Sequence, residues 1–239
     1  MGKRSTSGFT VIETILFIAI SGVLVVALLA GTGMALGVQR YRDSVQSFKS
    51  LIQEQYSEVI NVKNDRGDDW ECSSDVKTEQ GSSSPEKTRG QSSCVIIGKY
   101  IQIEDGSYTS HSVLAREGGI SVDSSDIDKL RDKYTLELST VYSDTGSLEW
   151  STTIDWASEG DDSNSQNQSG RGIAILIVRS PDSGQIYTFT SDSLPQEVNN
   201  DTLKSMIVAG DSVPGQAART ICIDPNGILI VDRTAIYIN

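Results

Sequence analysis

The sequence predicts an α+β fold, in which a long N-terminal α-helix packs on a C-terminal, mostly antiparallel β-sheet domain. Two features indicate the helix: an uncharged apolar run near the N-terminus, and an amphipathic stretch with helical spacing directly after it. One feature indicates the sheet. The rest of the 239-residue chain consists of short apolar segments separated by turn residues, as is typical of antiparallel strands.

The apolar run contains a single ionisable side chain, Glu13, between Phe9 and Gln39. The 24 uncharged residues from Ile15 to Val38 would form a helix about 36 Å long, enough to cross a hydrocarbon core of about 30 Å. An ordinary signal peptide has a shorter apolar core, and a buried core helix would show a polar face. A signal anchor explains the span but not Glu13, because a charge inside an apolar helix is costly and typically marks a function.

The N-terminal residues carry a motif. Gly8-Phe9-Thr10-Val11-Ile12-Glu13 follows a short basic segment and leads into the apolar run, and it closely resembles the processing site of type IV prepilins and pseudopilins. The resemblance implies that a membrane prepilin peptidase cuts between Gly8 and Phe9 and methylates the new N-terminus at Phe9. It also implies that Glu13 contacts the Phe9 N-terminus of a neighbouring subunit during assembly, since pairing the two charges lowers the cost of burying each.

The helix is expected to continue beyond the span and to end near Asn61 to Asn64, where Asn-Asp-Arg-Gly supplies a stop. Apolar residues recur there at helical spacing: Val45, Phe48, Leu51, Ile52, Val59 and Ile60. We therefore divide the chain into a leader peptide (1–8), a helix (9–64) with a membrane or filament-core half (9–39) and an amphipathic half (40–64), and an extracytoplasmic β-rich domain (65–239).

Within the β-rich domain, 65–93 is expected to be a polar loop. Asp105-Gly106 predicts a hairpin between Cys94–Glu104 and Ser107–Ala115. Asp144-Thr145-Gly146 predicts a second hairpin, between Tyr134–Tyr142 and Ser147–Trp156. The other expected elements are helices at 123–132 and 199–208, a central strand at 172–178 turning into 185–190, and a last hairpin between 219–224 and 228–238.

The three cysteines, Cys72, Cys94 and Cys222, have neither CxxC nor zinc-ligand spacing. Because the resemblance implies export, a disulfide is the natural interpretation. We expect it between Cys72 and Cys94, which flank a polar segment with little else to hold it, and we expect Cys222 to be a small buried residue. The alternative, three reduced and buried cysteines, stays open.

Composition and motifs argue against several other functions. The net charge of −12 disfavours nucleic-acid binding through the overall field of the protein. The single histidine, His111, is expected in a surface or cross-strand role, and no G-x-S-x-G motif occurs, so the chain is not expected to be an enzyme. No P-loop occurs either, so assembly would need a separate ATPase.

No cofactor is expected, although Ca²⁺ is one weak candidate. Asp123, Asp126 and Asp128 form an oxygen-rich cluster of the kind that binds Ca²⁺. The cluster does not match the EF-hand pattern, and the competing interpretation, a solvated acidic loop, is favoured.

The resemblance implies a structural subunit of a type IV pilus or related filament. Such a subunit is a single-pass protein of the cytoplasmic membrane, in contact with lipid, before it enters a cell-surface or extracellular filament. Its partners would be other pilin subunits, the prepilin peptidase and a membrane assembly platform with its ATPase. The size and β-rich domain favour a minor pilin or minor pseudopilin over a major pilin. A second hypothesis is a membrane-anchored adhesin or receptor that never polymerises. The choice among motility, DNA uptake, adhesion and secretion stays open.

Overall fold

The computed structural model describes residues 10–62, 70–73, 75–80, 92–104, 106–118, 125–156, 172–191, 194–207, 219–224 and 235–238. Its longest element is helix α1, Val11–Asn61, of 51 residues. Thr10 and Glu13 form a capping box, in which each side chain accepts a hydrogen bond from the backbone N–H of the other. At the other end Val62 adopts the left-handed conformation, and the Arg179 guanidinium donates to the Ile60 carbonyl over 3.2 Å.

Only the C-terminal half of α1 packs on the rest of the protein. Six buried residues spaced three or four apart form one stripe along it: Tyr41, Ser44, Phe48, Ile52, Gln55 and Val59. The predicted apolar residues Phe48, Ile52 and Val59 lie on this stripe and Val45 and Leu51 are half-buried beside it, but Ile60 is exposed, so its place in the predicted pattern is wrong. Between Val11 and Leu36, in contrast, the described side chains are exposed apart from Ser21, which is half-buried.

The main sheet is antiparallel and has the strand order β5-β4-β3-β7-β8. Its strands are β3 (Val95–Glu104), β4 (Ser107–Glu117), β5 (Tyr134–Ser147), β7 (Ile173–Arg179) and β8 (Ile186–Ser191). Three short strands, β6 (Thr153–Trp156), β9 (Arg219–Asp224) and β10 (Ala235–Ile238), form a second antiparallel sheet in the order β10-β9-β6. A third, two-stranded sheet pairs β1 (Trp70–Cys72) with β2 (Thr78–Gln80).

The two faces of the main sheet bury two different cores. Strand β7 shows the division, because its residues are buried on both faces. Ile173, Ile175 and Ile177 pack with the stripe of α1 and with the second sheet. The alternate residues of β7 face the two short helices α2 (Asp126–Asp132) and α3 (Asn200–Met206), which contribute Leu130 and Leu203. The α+β class is therefore confirmed, and helices cover the sheet on both sides.

Several expected elements are present. The β3–β4 hairpin turns at Gly106, which has φ +76°. β7 is an interior strand and leads through a turn into β8, and β9 pairs with β10. The two short helices begin after the N-capping residues Ser125 and Asn199. The part of the expected last strand before Ala235 lies outside the described residues.

The predicted hairpin across Asp144-Thr145-Gly146 is wrong. β5 runs unbroken through these residues, with Asp144 opposite Ser110 and Gly146 opposite Tyr108, and β6 pairs with β9 instead. The glycine has a packing role, since a Cβ at Gly146 would lie 2.6 Å from the Tyr108 ring. The long partner strand β4 thus outweighs the local turn propensity. The expected polar loop also holds structure, the short β1–β2 hairpin.

Candidate functional site

The candidate site is the uncovered N-terminal half of α1. Among the described residues, α1 is the one helix long and apolar enough to cross a membrane, and its most apolar window is not buried against the protein. Large apolar side chains are exposed all along it: Val11, Ile12, Ile15, Leu16, Phe17, Ile18, Ile20, Val23, Leu24, Val25, Val26, Leu28, Leu29 and Leu36. Helices that are apolar all round are covered by lipid or by protein, so this half of α1 requires a covering partner.

Glu13 lies in the first turn of this helix. Its carboxylate Oε2 accepts hydrogen bonds from the Thr10 backbone N–H, over 2.9 Å, and from the Thr10 hydroxyl, over 3.1 Å. Within the described part of the chain, Oε1 accepts none. The carboxylate sits at the positive end of the helix dipole, which favours its charge. Gly8 and Phe9, the predicted cleavage and methylation residues, lie outside the described residues.

Polar contacts fix the orientation of α1 on the sheet. The buried Gln55 accepts a 2.6 Å hydrogen bond from the Ser110 hydroxyl of β4. The Tyr41 hydroxyl donates to the Ile223 carbonyl of β9 over 3.1 Å. Lys99 of β3 and Glu58 form an ion pair of 2.8 Å with both side chains largely buried. These contacts lie along most of the packed half of α1, so the β-rich domain holds the apolar half in a defined direction.

Cys72 and Cys94 form a disulfide, the pairing that the sequence analysis favoured, with their Cα atoms 6.0 Å apart. The bond ties the β1–β2 hairpin to the start of β3. It packs in a small apolar cluster with Val76 and Leu114, and the Ser93 hydroxyl donates to the Cys72 carbonyl over 2.9 Å. Cys222 lies in β9, and its side chain is outside the described part of the structure.

The candidate calcium ligands lie at the start of α2. Asp126 accepts hydrogen bonds from the hydroxyls of Ser180 (2.7 Å), Ser183 and Tyr187 (3.1 Å). Asp128 accepts a 2.6 Å bond from the Ser125 hydroxyl and forms a 3.0 Å ion pair with Arg131. Asp123 is outside the described residues. Where the structure is described, no group of three or more His, Cys, Asp or Glu side chains is arranged to hold a metal ion.

The surroundings of Asp126 predict a loss of stability in acid. Burial opposes its ionisation, but hydrogen bonds from Ser183, Ser180 and Tyr187 and the nearby charge of Lys129 outweigh burial and lower its pKa. A carboxyl whose pKa is lower in the folded state than in the unfolded state stabilises the fold at pH values above its unfolded-state pKa. That contribution is lost as pH falls through its folded-state pKa. Asp126→Asn should lower the unfolding free energy at neutral pH by about 0.5–1.5 kcal/mol, because it weakens hydrogen bonds to a carboxylate that solvent partly screens.

Denaturant titrations of the full-length protein in detergent at several pH values would test this. The difference between wild type and Asp126→Asn should shrink as pH falls below the usual aspartate pKa of 3.8, because the Asp126 carboxyl then becomes protonated and uncharged like the asparagine. Asp43→Asn, at an exposed position of α1, is the matched control and should leave stability nearly unchanged. A difference that stays constant from neutral pH to acid would contradict the assignment.

His111 occupies a cross-strand position, directly opposite Tyr100 in the β3–β4 ladder. The Nδ1 atom of His111 and the hydroxyl of Tyr100 are both buried, and within the described structure neither has a hydrogen-bond partner. Burial raises the pKa of Tyr100 to about 12. The histidine thus lies on the face of the sheet that α2 and α3 cover, opposite the face that packs on α1.

Sequence reasoning did not single out two features of the packed half of α1. One is Gln55, whose only signal is its place on the apolar stripe, three residues after Ile52 and four before Val59. The other is the contact between Arg40 and Trp150, in which the guanidinium carbon lies 4.9 Å from the ring centroid. Trp150 is 49% exposed.

Neither a family model, nor a curated protein, nor a solved structure matches this chain. The described residues define a class: a disulfide-containing α+β domain on one N-terminal helix that is long and apolar enough to cross a membrane.

Proposed function

We propose that this chain is a structural subunit of a type IV pilus or a related filament. It is stored as a single-pass protein of the cytoplasmic membrane and then assembled through the apolar half of α1. One observation carries the proposal: the prepilin-like motif from Gly8 to Glu13 leads directly into the half of α1 that the rest of the described protein leaves uncovered. Lipid covers this surface in the precursor, and the helices of neighbouring subunits cover it in the filament.

The geometry around Glu13 supports an assembly contact. Cutting before Phe9 creates an ammonium group near the start of α1, and the two hydrogen bonds that Thr10 donates to Glu13 both end on Oε2. Two opposite charges in apolar surroundings each cost free energy when they are left alone, and pairing them reduces that cost. When a neighbouring subunit is in register, the Glu13 carboxylate of one subunit and the ammonium group of the other become partners.

The β-rich domain faces outward in this proposal and determines which partners the subunit meets. We assign the chain to a minor pilin or minor pseudopilin because of its size and its β-rich domain, with a major pilin as the alternative. Its role is structural and not enzymatic. The peptidase, the assembly platform and the ATPase are separate proteins.

A membrane-anchored adhesin or receptor that never polymerises is the second candidate. It accounts for the membrane span and for the β-rich domain. It gives no role to Glu13 or to the Gly8-Phe9 junction, and the filament subunit is favoured for that reason.

Mass spectrometry of the mature N-terminus tests the proposal. Cells that contain a prepilin peptidase should yield a chain that begins at Phe9 and carries one methyl group there. Gly8→Val should remain at full length, because a bulky residue blocks the cut that the resemblance implies. A wild-type chain that keeps Met1 in the presence of active peptidase would favour the non-polymerising anchor.

A further inference from the structure

Helix α1 leaves the β-rich domain at a place that we call the neck, which consists of Arg40 and the turn Glu149–Thr152. Tyr41, the next residue of α1, is already buried at 1% exposure. Ser44 and Thr152 share a 2.6 Å hydrogen bond, and the Ser47 hydroxyl donates to Glu149 over 3.3 Å. The turn therefore packs along one side of α1, with Trp150 at its membrane-proximal end beside Arg40.

The backbone of the neck holds Trp150 in a fixed position. Trp150 and Ser151 both have positive φ values, 59° and 57°, a conformation that is uncommon for residues other than glycine and unusual for a bulky one. The turn is anchored by the Leu148 N–H, which donates to the Gly106 carbonyl over 2.6 Å, and by the Thr152 hydroxyl, which donates to the Glu149 carbonyl over 2.9 Å. A half-exposed indole in a strained and anchored turn is not a core residue.

The length of α1 places the neck relative to the membrane. The 24 uncharged residues from Ile15 to Val38 form about 36 Å of helix, enough to cross a hydrocarbon core of about 30 Å, and Arg40 is the first charged residue after them. With this run in the hydrocarbon core, Arg40 and the Trp150 ring beside it lie in the headgroup layer at its C-terminal end. Tryptophan suits this layer, because its ring is apolar and its N–H is a hydrogen-bond donor.

We propose that in the precursor the neck lies in the outer headgroup layer, with the Trp150 indole at the lipid interface and Arg40 beside lipid phosphate. This inference rests on the proposed membrane-stored state. The charges of the neck region are mixed, since Asp43 and Glu149 accompany Arg40 and Arg42. The neck therefore binds zwitterionic phospholipid and does not need an anionic membrane. Entry into a filament would exchange this lipid contact for a neighbouring subunit.

Fluorescence quenching in proteoliposomes tests the inference on the full-length chain. Trp70→Phe with Trp156→Phe leaves Trp150 as the only tryptophan, and Trp150→Phe with Trp156→Phe leaves Trp70 as the matched control. In zwitterionic vesicles, lipids brominated near the headgroup should quench Trp150 at least about twofold more than Trp70. They should also quench it more than lipids brominated near the chain end do. Quenching of Trp150 no greater than that of Trp70 would overturn the inference.

The same preparation separates this inference from the proposed function. A chain that does not float with the vesicles contradicts membrane storage itself, and with it the inference. A chain that floats while Trp150 stays unquenched contradicts the neck contact alone. If Trp150 becomes shielded only in assembled filaments, its partner is a second subunit and the inference is also wrong. Circular dichroism checks that each variant folds, and tyrosine replacements at the same positions give the same readout if phenylalanine ones do not fold.

Discussion

Glu13→Ala is expected to lower the amount of this chain in sheared filaments by at least about tenfold, a change of ~1.4 kcal/mol or more. Its amount in the membrane fraction should stay the same. The alanine removes the carboxylate that would pair with the N-terminus of a neighbouring subunit, and it leaves that ammonium group unpaired in apolar surroundings. Insertion should persist because the apolar residues of α1 are unchanged. Immunoblots of sheared and membrane fractions provide the measurement.

Thr10→Val is the matched control for this experiment. Glu13→Ala also destroys the capping box at the start of α1, so a loss of assembly could come from a frayed helix. Thr10→Val removes the side-chain cap and the hydroxyl bond to Glu13 but keeps the carboxylate. It should assemble at near wild-type levels. Normal assembly of Glu13→Ala, or an equal defect in both variants, would contradict a charge-pairing role for Glu13.

Replacing Cys72 and Cys94 together by serine is expected to lower the unfolding free energy by about 3 kcal/mol. The disulfide joins residues 22 positions apart, so its loss frees a long loop in the unfolded chain. Loss of the disulfide also releases the short β1–β2 hairpin, because a two-stranded hairpin is only marginally stable on its own. Denaturant unfolding of the full-length protein in detergent, followed by circular dichroism, measures the loss.

Cys222→Ser is the control for the disulfide. The stability of this variant should still fall when reductant is added, because the variant keeps the Cys72–Cys94 bond. The double variant should show the same stability with and without reductant. Stability of wild type that does not change on full reduction would contradict the stabilising role.

Much of the fold could be predicted because some segments carry local signals that agree with their tertiary surroundings. The Asp105-Gly106 pair predicts the β3–β4 turn, and positive φ at Gly106 accounts for it. The apolar segment from Gly172 to Val178 predicts an interior strand, and β7 is buried on both faces. The spacing of apolar residues in α1 likewise identifies the half that packs on the sheet.

Other features depend on partners that the local sequence does not reveal. Gly146 has the sequence context of a turn, but it lies in a strand because β5 pairs with β4 through this segment, and it is glycine because the Tyr108 ring occupies the space that a side chain would need. The contact of Arg40 with Trp150 joins residues that only the tertiary fold brings together. For the candidate site, Glu13 could be found because it is the single charge in a long apolar run. The roles of Gly8 and Phe9 stay predictions.

Immunogold electron microscopy of sheared filaments tests the central claim most directly. An antibody against the β-rich domain should label filaments from wild-type cells, at their ends for a minor subunit or along their length for a major one. Glu13→Ala cells should show little of this label on filaments, with the chain retained in the membrane. Label confined to membranes in wild-type cells that make filaments would contradict the assignment of this chain as a filament subunit.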